Sequence, residues 1–382
     1  MVTPYPSEER GRGGRKHYKM KKRHTILLLI CGVFNTAFSQ DFLWKAGLHS
    51  FFDNCEFAGS QIKTSQTMAG VHIAPELGLE WNGKHRVFAG VDVMREFGSD
   101  READYFNLIA YHEFDQKPFR FYMGAFPRRM ALEKYPYMFF QDSVLNYRPV
   151  MTGIFWEYYS GENFLNAWLD WTGRQTKVRN EAFFVGISGR YNLNMFYSQF
   201  FSYMYHFAAK EDPVVHEGLH DNALVWTSLG IDLTKKVRFE NFEKLEANVG
   251  CTAGLERDRS IGGWHTPQGL LSEIRVEYKG LGLFNTYYMG GKQQVFYGDH
   301  GNEIYWGDPL YRSTGYDRAD FYLYFVKTNV VNLKFTYSLH FTEKEMYHEQ
   351  LFYATFDLNN LKKKEQKKYR YIWDNWFKNG EE

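Results

Sequence analysis

Cysteine is nearly absent, three among 382 residues, and neither sign of charge prevails, 46 Lys and Arg standing against 45 Asp and Glu. So little cysteine argues against a disulfide framework or a cysteine-ligated metal. The balanced charge gives no basic surface for a nucleic-acid partner. No apolar run reaches the roughly 18 residues that a membrane-spanning helix needs, which excludes a helical membrane protein. Also missing are a G-x-S-x-G elbow, a Walker A loop and a G-x-G-x-x-G turn. What is present is aromatic: 34 Phe, 28 Tyr and 10 Trp in a chain whose mean hydropathy is only −0.51. That many rings exclude disorder. Aromatic-rich yet hydrophilic on average is the composition of an outer-membrane β-barrel, whose strands carry apolar side chains on one face.

The first apolar stretch, Thr25 to Phe34, follows Lys21-Lys22-Arg23-His24 and precedes Ala37-Phe38-Ser39. A basic start, a short apolar core and a small-x-small site read as a secretory signal peptide. Residues 1–39 are therefore a leader, with Met20 as its natural start. Ile30 before Cys31 is not the small residue a lipoprotein signal requires. Cleavage after Ser39 leaves 38 basic and 43 acidic side chains, net −5.

From residue 40 the sequence breaks into alternating segments separated by turn residues. Val331 to Phe341 sets Val331, Leu333, Phe335, Tyr337, Leu339 and Phe341 against Asn332, Lys334, Thr336, Ser338 and His340. Strands are expected near 42–52, 67–81, 85–96, 104–114, 118–126, 150–159, 163–172, 180–190, 194–208, 222–233, 245–256, 269–279, 282–289, 319–326, 330–341 and 348–358. The connections alternate between tight turns such as Asn82-Gly83-Lys84 and long polar loops such as 127–149 and 290–318. Turns at one end and loops at the other are the mark of an all-β, closed antiparallel barrel in the outer membrane. The count is about sixteen strands, within roughly 14 to 18, with both termini periplasmic. The barrel spans 40–361, with a basic aromatic tail at 362–382. Trp81, Trp171, Tyr278 and Phe341 fall at strand ends, where interfacial girdles lie. Pro75 predicts a bulge or boundary in the second strand, and Leu193 to Phe207, aromatic on both faces, predicts an inward contact with a folded-in loop.

The loop Pro127 to Pro149 carries Arg128, Arg129, Glu133, Lys134, Asp142 and Arg148 around Met138-Phe139-Phe140. Three large apolar residues in a row suit packing against an inner wall better than solvent. A long third loop folded inside resembles the constriction loop of the general sixteen-stranded porins. The pieces Phe126-Pro127-Arg128-Arg129 and Asp142-Ser143-x-x-x-Tyr147-Arg148-Pro149 are similar to segments of uncharacterised outer-membrane barrels of Bacteroidota. What the porin resemblance implies is a water-filled channel for passive diffusion of small polar solutes. Its lining would be the six loop charges together with Glu273, Arg275, Glu277 and Lys279 on the wall. Selectivity would then come from pore width and charge, with no enzyme activity and no cofactor.

The loop Gly290 to Ala319 holds Asp299, Glu303, Asp308 and Asp317, with Asp320 next to it, beside several aromatics; its irregular spacing fits no EF-hand and it reads as a surface cap over the pore. His216-Glu217-Gly218-Leu219-His220 matches H-E-x-x-H, but a short loop with Gly218 is poor ground for the helix that motif needs, and the match is read as coincidence. Asp142-Ser143 with His112 or His206 would be the constellation of a barrel-embedded hydrolase, though no spacing demands it. The remaining alternative is a closed barrel acting as a binding scaffold, whose tail would meet a periplasmic partner or a second copy of the chain. The tail itself reads as a disordered periplasmic extension.

Overall fold

The computed structural model describes residues 40–211, 219–234, 242–361 and 369–375. The leader lies outside the described residues. Sixteen strands run in chain order: β1 (Asp41–Glu56), β2 (Gln66–Trp81), β3 (His85–Glu96), β4 (Tyr105–Gln116), β5 (Phe119–Pro127), β6 (Val150–Ser160), β7 (Asn163–Gly173), β8 (Ala182–Leu193), β9 (Phe196–Phe207), β10 (His220–Asp232), β11 (Phe242–Asp258), β12 (Gln268–Tyr278), β13 (Leu281–Gly290), β14 (Gly315–Lys327), β15 (Val331–Thr342) and β16 (Met346–Asn359). Each pairs antiparallel with its neighbours, and β1 closes on β16 from Lys45↔Asn359 to Glu56↔His348. Closure leaves no free sheet edge, as a bilayer requires.

The faces are inverted relative to a soluble sandwich. On β2, Ile73 and Leu77 are 54% and 60% exposed while His72 and Glu76 are 3% and 5% exposed. Alternate residues point to opposite sides of a strand, so the apolar set faces lipid and the charged set faces the lumen. This is the outer-membrane arrangement. Tight turns close the periplasmic end. Asn82 and Gly83 both take positive φ, 57° and 63°, and so do Lys279 and Gly280, at 48° and 89°, the twist a short hairpin turn needs.

Pro75 sits inside a continuous β2. It pairs with Ala46 on β1, while the ladder to β3 passes from Ile73↔Val93 to Glu76↔Gly90 without pairs between them. The missing N–H costs two rungs on one side and produces no strand boundary. β1 reaches Glu56, which moves Cys55 from an expected loop to a buried inward position.

β14 begins at Gly315, four residues before the sequence places it, because Glu343 in the β15–β16 connection gathers its first amides. The Glu343 carboxylate accepts from Thr314 N at 2.5 Å, from Gly315 N at 2.9 Å and from the Thr314 hydroxyl. Slight burial opposes its ionisation, but these donors hold its carboxyl down at about 2. A lowered folded-state value gives stabilisation that is complete above the unfolded value of about 4.3 and is lost as pH falls through about 2. Glu343→Gln is therefore expected to speed amide exchange at Thr314 and Gly315 at pH 7, read by hydrogen-exchange mass spectrometry. Equal rates in the two proteins would refute the anchoring role.

The tail departs from expectation where it is described. Tyr369 to Asn375 docks on the periplasmic ends of β12 to β14: Lys327 N donates to the Tyr371 hydroxyl at 2.6 Å, Ile372 N donates to Lys279 O at 3.0 Å, and Trp373 stacks on Tyr371 and Phe325.

Candidate functional site in the barrel lumen

Two long connections enter the lumen from the outer end, 128–149 between β5 and β6 and 291–314 between β13 and β14. The first does so as its Met-Phe-Phe run predicts: Met138, Phe139 and Phe140 are buried, and the inward rings of β9, Phe201 and Tyr203, pack on Tyr135, Phe139 and Phe140 at 5.0 to 5.7 Å. The second corrects the reading of a surface cap. Ile304, Tyr305, Trp306, Leu310 and Tyr311 are all buried. The loops hold each other through Gln141 N to Trp306 O, 2.8 Å, and Asp308 N to Tyr137 O, 2.9 Å. Trp306 is the centre of the plug, against Phe140, Phe184 and Tyr205, with the Arg128 and Arg148 guanidinium groups 5.0 and 4.1 Å from its ring.

A dense ionic cluster binds this plug to the wall. Arg318, inward on β14, is 1% exposed. Its guanidinium donates to Asp320 at 2.8 Å and to Asp142 at 3.0 Å, and lies 3.7 Å from Glu349 and 4.0 Å from Asp308. Lys63, from the β1–β2 loop, lies 3.6 Å from Asp308 and 3.7 Å from Glu349. Cys55 Sγ lies 3.1 Å from Asp53 and 3.0 Å from Glu349, so its single S–H donates to one of the two carboxylates. His340 meets the Tyr316 hydroxyl at 2.8 Å and Glu349 at 3.3 Å. Five carboxylates thus face two cations in a space with little water to screen them. Burial pushes the Asp142 carboxyl up against the pull of Arg318. Burial works against the Lys63 charge, yet Asp308 and Glu349 outweigh it and its ammonium is held above the usual range.

The plug divides the lumen. An outer cavity of about 420 Å³ is lined by Cys55, Lys63, Gln141, Ser143, Tyr147 and Trp306 among others. An inner chamber of about 690 Å³ opens toward the periplasmic turns and carries Glu133, Lys134, Arg190, Glu246, Glu273 and Arg275. The residues expected to line a pore are distributed over these parts. Arg128 is buried, donating to Asp170 and to the carbonyls of Arg148 and Val150 at 2.6 and 2.8 Å, and pins the plug. Asp142 joins the ionic cluster. Arg129 and Arg148 are exposed, the latter toward the outer cavity. Glu133, Lys134, Glu273 and Arg275 face the inner chamber, with Lys134 3.9 Å from Glu157. Glu277 is buried at the periplasmic end, bonded by Lys327 at 2.7 Å, and Lys279 is in the β12–β13 turn.

The hydrolase constellation drawn from the sequence does not assemble. His112 lies beside His85 and Trp81, and His206 beside Phe183 and Asp221, both on the side opposite the inward residues of their strands; Asp142-Ser143 is inside the plug. His216 and Glu217 lie outside the described residues, and His220 opens a strand. Asp53, Lys63, Arg318, His340 and Glu349 were not distinguished by sequence. Their only signal is a charged residue at an inward strand position, or in a loop, with partners far along the chain.

A sequence model of the lipid A 3'-O-deacylase-type family matches residues 34–372. The match overturns the expectation of a barrel without enzyme activity, because the family is described by an enzymatic one. Among curated proteins none matches. Similar solved structures include Pseudomonas aeruginosa OccK5 (OpdH), 7% identical with a TM-score of 0.50, covering 84% of this chain and 99% of that one. P. aeruginosa OpdK, crystallised with vanillate, is 10% identical with a TM-score of 0.49, covering 84% and 99%. Such identities speak for the porin-like fold alone.

Proposed function

The chain belongs to the lipid A 3'-O-deacylase-type family, and from that premise we propose that the barrel hydrolyses the ester holding an acyl chain on a lipid A-type glycolipid. The outer cavity is the reaction site. The observation that carries this reading is the placement of Lys63: it lines the outer cavity, and the carboxylates of Asp308 and Glu349 stand 3.6 and 3.7 Å from its ammonium. Ester hydrolysis needs a proton acceptor for the attacking water and a positive charge for the oxygen of the tetrahedral intermediate. Glu349, buried directly behind the lining residues Cys55 and Lys63 at 3.0 and 3.7 Å, supplies the first and Lys63 the second. Water adds to the acyl carbonyl as its proton passes to the carboxylate; the C–O bond to the sugar then breaks, and that proton returns to the departing hydroxyl. Ile62, Met68 and Val144 in the same wall give the acyl chain an apolar surface, and Trp306 and Tyr297 offer ring faces to a sugar.

The test is incubation of the purified, folded barrel with lipid A in mixed micelles containing divalent cations. Mass spectrometry should find lipid A lighter by one acyl chain and the matching free fatty acid. Unchanged lipid A from a barrel of verified fold would sink the reading. Passive diffusion of small polar solutes is the second reading, favoured by the charge-lined inner chamber. Planar-bilayer recording separates the two: stable conductance steps without acyl release support the channel.

A further inference from the structure

We propose that His220, Asp258 and His300 form a binding site for one divalent transition ion of the zinc class, which staples the 291–314 loop to the outer rim of the barrel. The inference does not depend on the hydrolase reading. His220 is the first residue of β10 and lies in register opposite Asp258, the last residue of β11. His300 ends the single helical turn Tyr297–His300 inside the folded-in loop. One ligand-type atom from each of the three lies within 4.8 Å of the others. His220 Nε2 and Asp258 Oδ2 are 3.7 Å apart, and the two imidazole centroids 4.0 Å apart at 63°.

The donors are prepared for an ion. Asp258 Oδ1 accepts from the Ser260 amide at 2.8 Å and hydroxyl at 2.6 Å, which orients the carboxylate and leaves Oδ2 toward the histidines. His220 is 3% exposed, and its Nδ1 has no hydrogen-bond partner among the described residues. A buried imidazole nitrogen without a partner is costly. Phe207 and Phe296 cover the His220 ring at 6.2 and 5.9 Å and exclude water from that side. Two imidazoles this close cannot both carry a proton cheaply, whereas a metal ion takes both in the neutral form. Two nitrogens and one carboxylate oxygen suit zinc and its neighbours; calcium and magnesium prefer all-oxygen shells. The ligand set is not that of H-E-x-x-H, since it takes one residue of that stretch and two from elsewhere.

The experiment uses the whole chain in detergent, stripped with chelator, dialysed and given Zn2+ or Co2+. One equivalent of zinc by elemental analysis and a visible Co2+ d–d band are expected. His300→Ala and Asp258→Asn should each weaken binding by at least about tenfold. His206→Ala, on the lipid side of β9, should bind as the parent does. Heat-dependent gel mobility checks that each variant is a folded barrel. Absence of stoichiometric zinc in the folded parent overturns the proposal. So does loss of binding in His216→Ala with retention in His300→Ala, which would place the ion at the sequence motif.

Discussion

Arg318→Met is expected to cost about 3 to 5 kcal/mol and to release the plug, because it removes the cation that three buried carboxylates share with the half-buried Asp142. Asp142 and Asp308 come from the two inserted loops, whereas Asp320 and Glu349 stand on the wall. Arg318 is therefore the joint between plug and barrel. Its guanidinium also lies 3.7 Å from the Tyr137 ring, so the methionine loses a cation–π contact as well. Like charges then face one another across a low-dielectric space, and Lys63 alone cannot neutralise them. The measurement is urea unfolding in detergent followed by gel mobility, paired with trypsin cleavage inside 128–149. The variant should unfold at lower urea and be cut between Arg128 and Arg148. Arg318→Lys keeps the charge but not the planar fork and should fall between the two. Part of the loss should be recovered at acid pH, where protonation removes the repulsion. A variant as stable and as resistant as the parent would show that the cluster does not hold the loops.

Strand order was legible because a barrel has only one arrangement for consecutive hairpins, and its period of two is repeated sixteen times. The misplacements share one physical cause. An inward position of a water-facing lumen carries charge, so Arg318, beside the outward Asp317, read as loop where it opens β14. Cys55 likewise read as loop beside Asp53 and Glu56. Loop 291–314 carries Ile304-Tyr305-Trp306, the counterpart of Met138-Phe139-Phe140, but its many carboxylates pointed to solvent. Those carboxylates turned out to be partly internal, Asp308 being fully buried against Lys63 and Arg318. Arg128 and Asp142, expected to line a pore, are part of the plug, and their ionic partners Asp170 and Arg318 lie on two distant strands where no spacing marks them. A site assembled from single inward residues on separate strands has no spacing to recognise. For the same reason, a family described by an enzymatic activity carries no hydrolase motif here.

Lys63→Met should lower acyl-chain release by about a hundredfold or more, the scale of losing a charge aimed at a developing oxyanion. Glu349→Gln should lower it by about 10² to 10⁴, the scale of a general base. The first variant is the sharper test. Lys63 belongs to a loop, and its loss leaves Arg318 in place against Asp142 and Asp320. The barrel and plug should persist, which gel mobility and tryptic resistance would verify in the same samples. Lys63→Arg keeps a positive charge at the cavity and should restore part of the rate. The ammonium's sign with pH is also fixed: held above its usual value of about 10.4, it stays charged through the neutral range and loses its charge only as pH rises past the raised value. Activity should therefore fall on the acid side, as carboxylates take protons, with no alkaline limb from Lys63 below about pH 10. An alkaline limb near neutrality, or full activity in a folded Lys63→Met barrel, would move the chemistry away from the outer cavity.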